Sequence, residues 1–153
     1  MALSLGRLKR LQKIRSMEEQ QARTELERVN MALNAAETAV GEQLVQRTMA
    51  RRASRAALLA GDKAEWHLAE AMREVSEWNL DKMRAERQQR AAAVEPARVV
   101  FMEKRRDDEQ MKILRGNVQR MADAESKRLE QIAADEWYGQ NRFRTGTDDA
   151  KNS

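Results

Sequence analysis

The sequence predicts an all-α chain folded as a long antiparallel two-helix coiled-coil hairpin. More than half of its residues are Ala, Glu, Lys, Leu or Arg, the composition of long helices and coiled coils. One proline and 4% aromatic residues leave little material for a thick core, so burial should lie in a seam between helices. The stretch Leu58-Leu59-Ala60-Gly61-Asp62-Lys63-Ala64-Glu65-Trp66 joins a helix stop to a helix start. Gly61 can adopt the left-handed conformation that closes a helix, and Asp62 with Glu65 has capping-box spacing.

The first arm is expected over about 4–60. Leu8, Ala22, Val29 and Ala36 share one heptad position, and Leu26, Leu33 and Val40 share a second. Nearer the start, Leu11, Ile14 and Met17 widen the apolar face. Beyond Gly41 the apolar residues are expected to shift phase and continue as Met49, Ala53, Ala56 and Ala60. Such small residues let a partner helix approach closely while burying little area per contact.

The tip falls at about 61–62 and the second arm at about 62–142. This arm opens with Leu68, Ala71, Val75 and Trp78 at alternating spacings of three and four, then fades through Lys82, Ala85, Gln89 and Ala92 to Pro96. A proline inside a helix removes one hydrogen bond and clashes with the preceding turn, so a kink is expected near Pro96, with a break into two helices as the alternative. The stripe resumes, moved by one residue, as Val100, Lys104, Asp107, Met111, Leu114, Val118, Met121, Glu125 and Ile132, with Leu129 alongside. Fraying is expected near Gly139. The hairpin then occupies 1–143, and 144–153 reads as a disordered polar tail.

The arms are unequal. Counting back from the tip at about 1.5 Å per residue places Leu5 opposite the neighbourhood of residue 118. Val118, Met121, Leu129 and Ile132 continue an apolar stripe through the overhang beyond it, which makes that stripe a candidate binding surface. The alternatives are that it pairs with a second copy of the chain, or that the turn lies elsewhere.

The net charge is +4, with 29 basic and 25 acidic side chains. Interspersed charges favour a solvated helix surface over a dedicated polyanion binder. With no cysteine, thiol catalysis, disulfides and thiolate metal sites are excluded. The first ten residues carry Arg7, Lys9 and Arg10 where a secretory leader would need an apolar core, and no apolar run approaches a membrane span.

No catalytic constellation, cofactor motif or metal-ligand set is expected. His67 is the single histidine, and Gly61-Asp62-Lys63 lacks the other elements of a phosphate-binding loop. Arg47, Arg51 and Arg55, with Arg52 beside them, form a one-sided basic stripe near the tip, with no acid between Glu42 and Asp62. The stripe reads either as a docking site for an acidic protein surface, lipid or nucleic acid, or as a solvated face. Nothing supplies a specific nucleic-acid unit. Trp66 lies off the expected stripe, as a binding residue or a plug over the turn, and Trp78 is placed in the seam. Trp137 with Tyr138 ends the overhang.

Both ends resemble a known family. The run Leu8-x-x-Leu11-x-x-Ile14-Arg15-x-x-Glu18-Glu19-x-x-Ala22-x-x-x-Leu26 is similar to the opening of FliJ, the stalk protein of flagellar type III export. The run Arg128-Leu129-Glu130-Gln131-x-x-x-Asp135-Glu136-Trp137 resembles that family's ending. The break at Gly61, with a tryptophan shortly after, falls where the family turns.

The resemblance implies a non-enzymatic central stalk of a type III export apparatus, flagellar or of the related YscO injectisome type. Its partners would be a hexameric export ATPase, the cytoplasmic domain of the membrane export gate, and substrate chaperones. It also implies a location in the bacterial cytoplasm, at most peripheral to the membrane. Leu8, Leu11, Val118, Met121, Leu129 and Ile132 would belong to the ring-inserting end. Arg47, Arg51, Arg55, Trp66 and Met72 would face the gate. The alternative function is a self-associating coiled-coil adaptor with no ATPase partner.

Overall fold

The computed structural model describes residues 4–151, with side chains through 146. It is an all-α hairpin in which α1 (Leu5–Ala60) packs against α2 (Lys63–Lys151). Ser4 starts α1: its Oγ accepts a hydrogen bond from the Arg7 amide at 3.3 Å and its carbonyl accepts one from the Leu8 amide at 3.1 Å.

The turn forms where the local signals place it. Gly61 sits at φ 71°, its amide donates to the Leu58 carbonyl at 3.3 Å, and the Asp62 amide donates to the Ala57 carbonyl at 3.1 Å. These two bonds satisfy carbonyls at the end of α1 in the Schellman pattern. Asp62 then caps α2 by accepting from the Glu65 amide at 3.1 Å through Oδ1. The helix starts at Lys63, one residue later than expected, because Asp62 is the cap rather than the first helical residue.

Two compact units make up the chain. One is Met17–Arg106, which contains the turn, and the other is drawn from Met1–Ser16 and Asp107–Ser153. In the turn-containing unit the α1 seam follows one unbroken heptad. After Glu19, Ala22, Leu26, Val29, Leu33, Ala36 and Val40 it continues as Gln43, Arg47, Ala50, Ser54 and Ala57. The expected phase shift beyond Gly41 does not occur, and Met49, Ala53, Ala56 and Ala60 are exposed. Once the turn fixes antiparallel pairing, each successive level of α1 must face the next level of α2. Polar Gln43 and Arg47 are therefore carried inward while Met49 is not.

The same correction applies to α2. Its inward positions are Trp66, Ala69, Arg73, Ser76, Leu80 and Met83, followed by Val94, Ala97, Phe101 and Lys104. The expected seam of Leu68, Ala71, Val75 and Trp78 is exposed, with Trp78 at 65% and its ring 5.4 Å from the Lys82 ammonium. Lys82, Ala85, Gln89 and Ala92 are exposed as well, and Arg87 and Arg90 stand at heptad positions that stay in solvent.

Helix α2 passes through Pro96 without dividing, so the break into two helices is excluded. The heptad also keeps its phase there: Val94, Ala97, Phe101 and Lys104 face inward, whereas Val100 is 46% exposed. One proline costs a long helix about 3 kcal/mol, which flanking packing can offset. Across the site, Arg98 holds Glu95 with Nη2 to Oε1 at 2.6 Å.

In the other unit, Leu5, Leu8, Gln12 and Arg15 face Asp108, Met111, Arg115 and Val118, while Leu114 is exposed. Leu8 is fully buried. The helix runs on to Lys151 instead of ending near 142, so the tail expected from 144 is helical through Lys151. Gly139 and Gly146 do not stop it, since an isolated glycine costs a helix only about 1 kcal/mol. The Thr145 hydroxyl supports this turn by donating to the Asn141 carbonyl at 3.1 Å. Residues 152–153 lie outside the described residues.

Candidate docking surfaces

The longer helix outlasts its partner. Burial on α2 stops at Gln119, and every described side chain from 120 to 146 is exposed. The expected overhang therefore begins one residue from where the arm lengths place it. Along it, Met121 is 72% exposed, Leu129 54% and Ile132 42%, with Leu129 and Ile132 on the line that Met111 and Val118 follow inside the pair. Trp137, Tyr138 and Phe143 extend the apolar surface, the first two in edge contact at 5.1 Å.

Local pairs support this helix in place of a partner. Arg128 donates to Glu125 at 2.7 Å, and Gln131 donates to Asp135 at 3.2 Å. The hydrogen bond from Arg128 holds the Glu125 carboxyl below the ordinary glutamate range, and the same bond raises Arg128. Such pairs on one face of a solvated helix lend it weak support.

The residues assigned to this end do not share one environment. Met121, Leu129 and Ile132 are open and Val118 is half-buried, but Leu8 is fully buried and is a packing residue rather than a contact surface. Leu11, at 37%, stands on the edge of the seam. Beside Leu8 the seam is polar. The buried Asp108 carboxylate accepts from the Ser16 hydroxyl at 2.8 Å and lies 2.9 Å from the Lys112 ammonium. Burial works to raise its pKa, but the hydrogen bonds from Lys112 and Ser16 outweigh this and hold it below the ordinary aspartate range. Arg115 donates to Gln12 at 2.6 Å in the same unit.

The turn-containing unit has two unlike sides. On one, ionic contacts dominate: Arg51 lies 3.7 Å from Glu77, and Arg73 bridges Glu70 at 2.9 Å and Glu77 at 3.1 Å. The Ser54 hydroxyl donates to Glu70 at 2.7 Å, and this bond, ahead of those from Arg73, holds the Glu70 carboxyl below the ordinary range. On the other side, Met49 and Ala53 of α1 line one groove with Leu68 and Met72 of α2, and Val75 continues it. Met49 is 58% exposed, Leu68 58%, Met72 55% and Val75 58%.

The residues expected to face a gate are therefore divided. Arg47 points into the seam, where its Nε is buried without a hydrogen-bond partner. Arg51 is paired with Glu77, and Arg55 is exposed. Trp66 is a half-buried seam residue closing the turn, with His67 in edge contact at 5.0 Å. Met72 alone lies on the apolar side.

Sequence reasoning missed that side because it assigned both of its stripes to the seam. Extending the heptad of Leu26, Leu33 and Val40 without a shift, and counting levels outward from Gly61, would have found it. Among the described residues no three His, Asp or Glu side chains gather to hold a metal, and no helix is long and apolar enough to cross a membrane. Comparison with protein-family models, with curated proteins and with solved structures finds no match for the chain.

Proposed function

We propose that this chain is a non-enzymatic stalk of a type III protein export apparatus of the FliJ/YscO kind. In this role the end beyond Gln119 engages a hexameric export ATPase, and the region of the turn meets the export gate. The observation that carries the reading is the overhang. A helix that keeps Met121, Leu129 and Ile132 exposed after its intramolecular partner has ended presents an apolar stripe of the kind that a surrounding ring can grip.

The mechanism is mechanical and allosteric. A single helix inside a ring presents a different face to each subunit, and subunits touching different faces favour different nucleotide states. The contrast between the apolar stripe and the Arg128–Glu125 and Gln131–Asp135 pairs is the asymmetry that such coupling uses.

The test is to mix the chain with the export ATPase of its own organism and measure stoichiometry and ATP turnover. One copy per hexamer with altered turnover is expected, both lost in a Leu129→Asp, Ile132→Asp double variant. An assembled ring that neither binds the chain nor changes its turnover sinks the proposal. A stable oligomer of the chain assembled through residues 120–146 would transfer the stripe to the adaptor role.

A further inference from the structure

We propose that the apolar side of the turn-containing unit is the contact face for a second copy of this chain. The two copies pack face to face about a two-fold axis parallel to the helices, with α1 of each against α2 of the other and both turns at the same end. This contact is separate from the ATPase-engaging residues after Gln119, and it shares only Met72 with the residues that face the gate in the export reading.

The first argument is the distribution of apolar surface. Here the hairpin buries its smaller side chains, Ala50, Ser54, Ala57 and Ala69, and leaves Met49, Leu68, Met72 and Val75 more than half exposed on one shared side. The opposite side is occupied by the pairs of Arg51 and Arg73 with Glu70 and Glu77. A two-helix layer with one apolar and one ionic side has the pattern of half a four-helix bundle.

The second argument is size. The Ser54–Glu70 hydrogen bond sets the levels of the antiparallel pair, so Ala53 stands level with Met72, Ala56 with Leu68, and Met49 with Val75. The proposed axis preserves levels and exchanges helices. Met72 and Leu68 of α2 therefore meet Ala53 and Ala56 of the other copy's α1, large against small as close packing requires, and Val75 meets Met49. An axis across the helices would instead stack α1 on α1, alanine on alanine.

Charge gives the third argument. The apolar side ends away from the turn at Glu42 on α1 and Lys82 on α2, both exposed and at the same level. The proposed axis sets Glu42 of each copy opposite Lys82 of the other. Packing α1 against α2 of the other copy is thus favoured over like against like. A face complementary to itself in both size and charge specifies its own copy.

Sedimentation equilibrium from about 5 to 500 μM tests this, a range in which a weak dimer forms. The mass should rise from one chain to two. Met72→Glu should move the midpoint at least about tenfold higher, equivalent to about 1.4 kcal/mol, with helical circular dichroism unchanged because the position is exposed. Glu42→Lys should weaken the dimer, and adding Lys82→Glu should restore it. Since the chain has no cysteine, a Met49→Cys, Val75→Cys variant should oxidise to a disulfide-linked dimer.

A single-chain mass throughout the range overturns the proposal. So does a dimer indifferent to Met72→Glu, which would arise by exchange of helices through Gly61 or by pairing of residues 120–146. The Leu129→Asp, Ile132→Asp double variant, which removes ATPase binding in the export reading, should leave this dimer intact, so the two proposals fail separately. If both hold, the second copy and the gate compete for Met72.

Discussion

Two stripes of α2 near the turn differ in what they contain and where they lie. The inward one is Ala69, Arg73, Ser76 and Leu80, and the outward one is Leu68, Met72, Val75 and Trp78. By transfer free energy alone the second should be the buried one. It is not, because Gly61 and Asp62 set the angle and level at which α2 leaves α1, and every later position inherits that choice. Turn geometry outranks the larger apolar stripe, and the stripe it displaces becomes available surface.

The sharpest way to break this comparison is to truncate one leucine in each stripe. Leu80→Ala removes a side chain that is 1% exposed and should cost about 2–5 kcal/mol in urea unfolding. Leu68→Ala, at 58% exposure, should change stability by less than about 0.5 kcal/mol. Equal losses would mean that the outward stripe is the true seam.

A smaller effect concerns the backbone of the turn. A Cβ added at Gly61 meets nothing within 4 Å, so Gly61→Ala isolates the cost of φ 71°, about 1–2 kcal/mol. Gly61→Asn, which tolerates that conformation, should lose less. If the alanine variant loses nothing, the turn does not select the register.

The seam can be sharpened in the other direction by filling it with an apolar residue. Arg47 carries a buried Nε with no partner, so Arg47→Met should stabilise the fold by about 1 kcal/mol, seen as a higher urea midpoint. A loss would show that the guanidinium is held by contacts stronger than the burial cost.

The smallest effect lies in the other unit. Asp108 has a lowered folded pKa, so its contribution is present at neutral pH and is lost as pH falls through that folded value, below the ordinary aspartate value of about 3.9. The stability difference between wild type and Asp108→Asn should therefore shrink as pH drops below about 4. A difference constant from pH 7 to pH 2 would show that the carboxylate charge plays no part.

The site was legible to the extent that it followed from counting. Arm lengths measured from Gly61 placed the overhang within a residue of Gln119, and Met121, Leu129 and Ile132 are exposed there. The apolar side was not legible. Periodicity identifies stripes without saying which of two competing stripes a partner covers, and Met49, Leu68 and Val75 were lost to the seam for that reason. Leu8 failed the other way: it reads equally well as a contact residue, and only its full burial decides.

By itself the sequence determined the helical class, the Ser4 start of α1, the turn at Gly61–Asp62 and the inequality of the arms. Each of these rests on interactions within a few residues or on simple length. Only the tertiary structure decided the heptad phase beyond Gly41 and across Pro96, the inward turn of Arg47 and Asp108, and the exposure of Trp78. Those depend on which helix faces stand level after the chain folds back, a geometric relation between residues far apart in sequence that local chemistry does not encode.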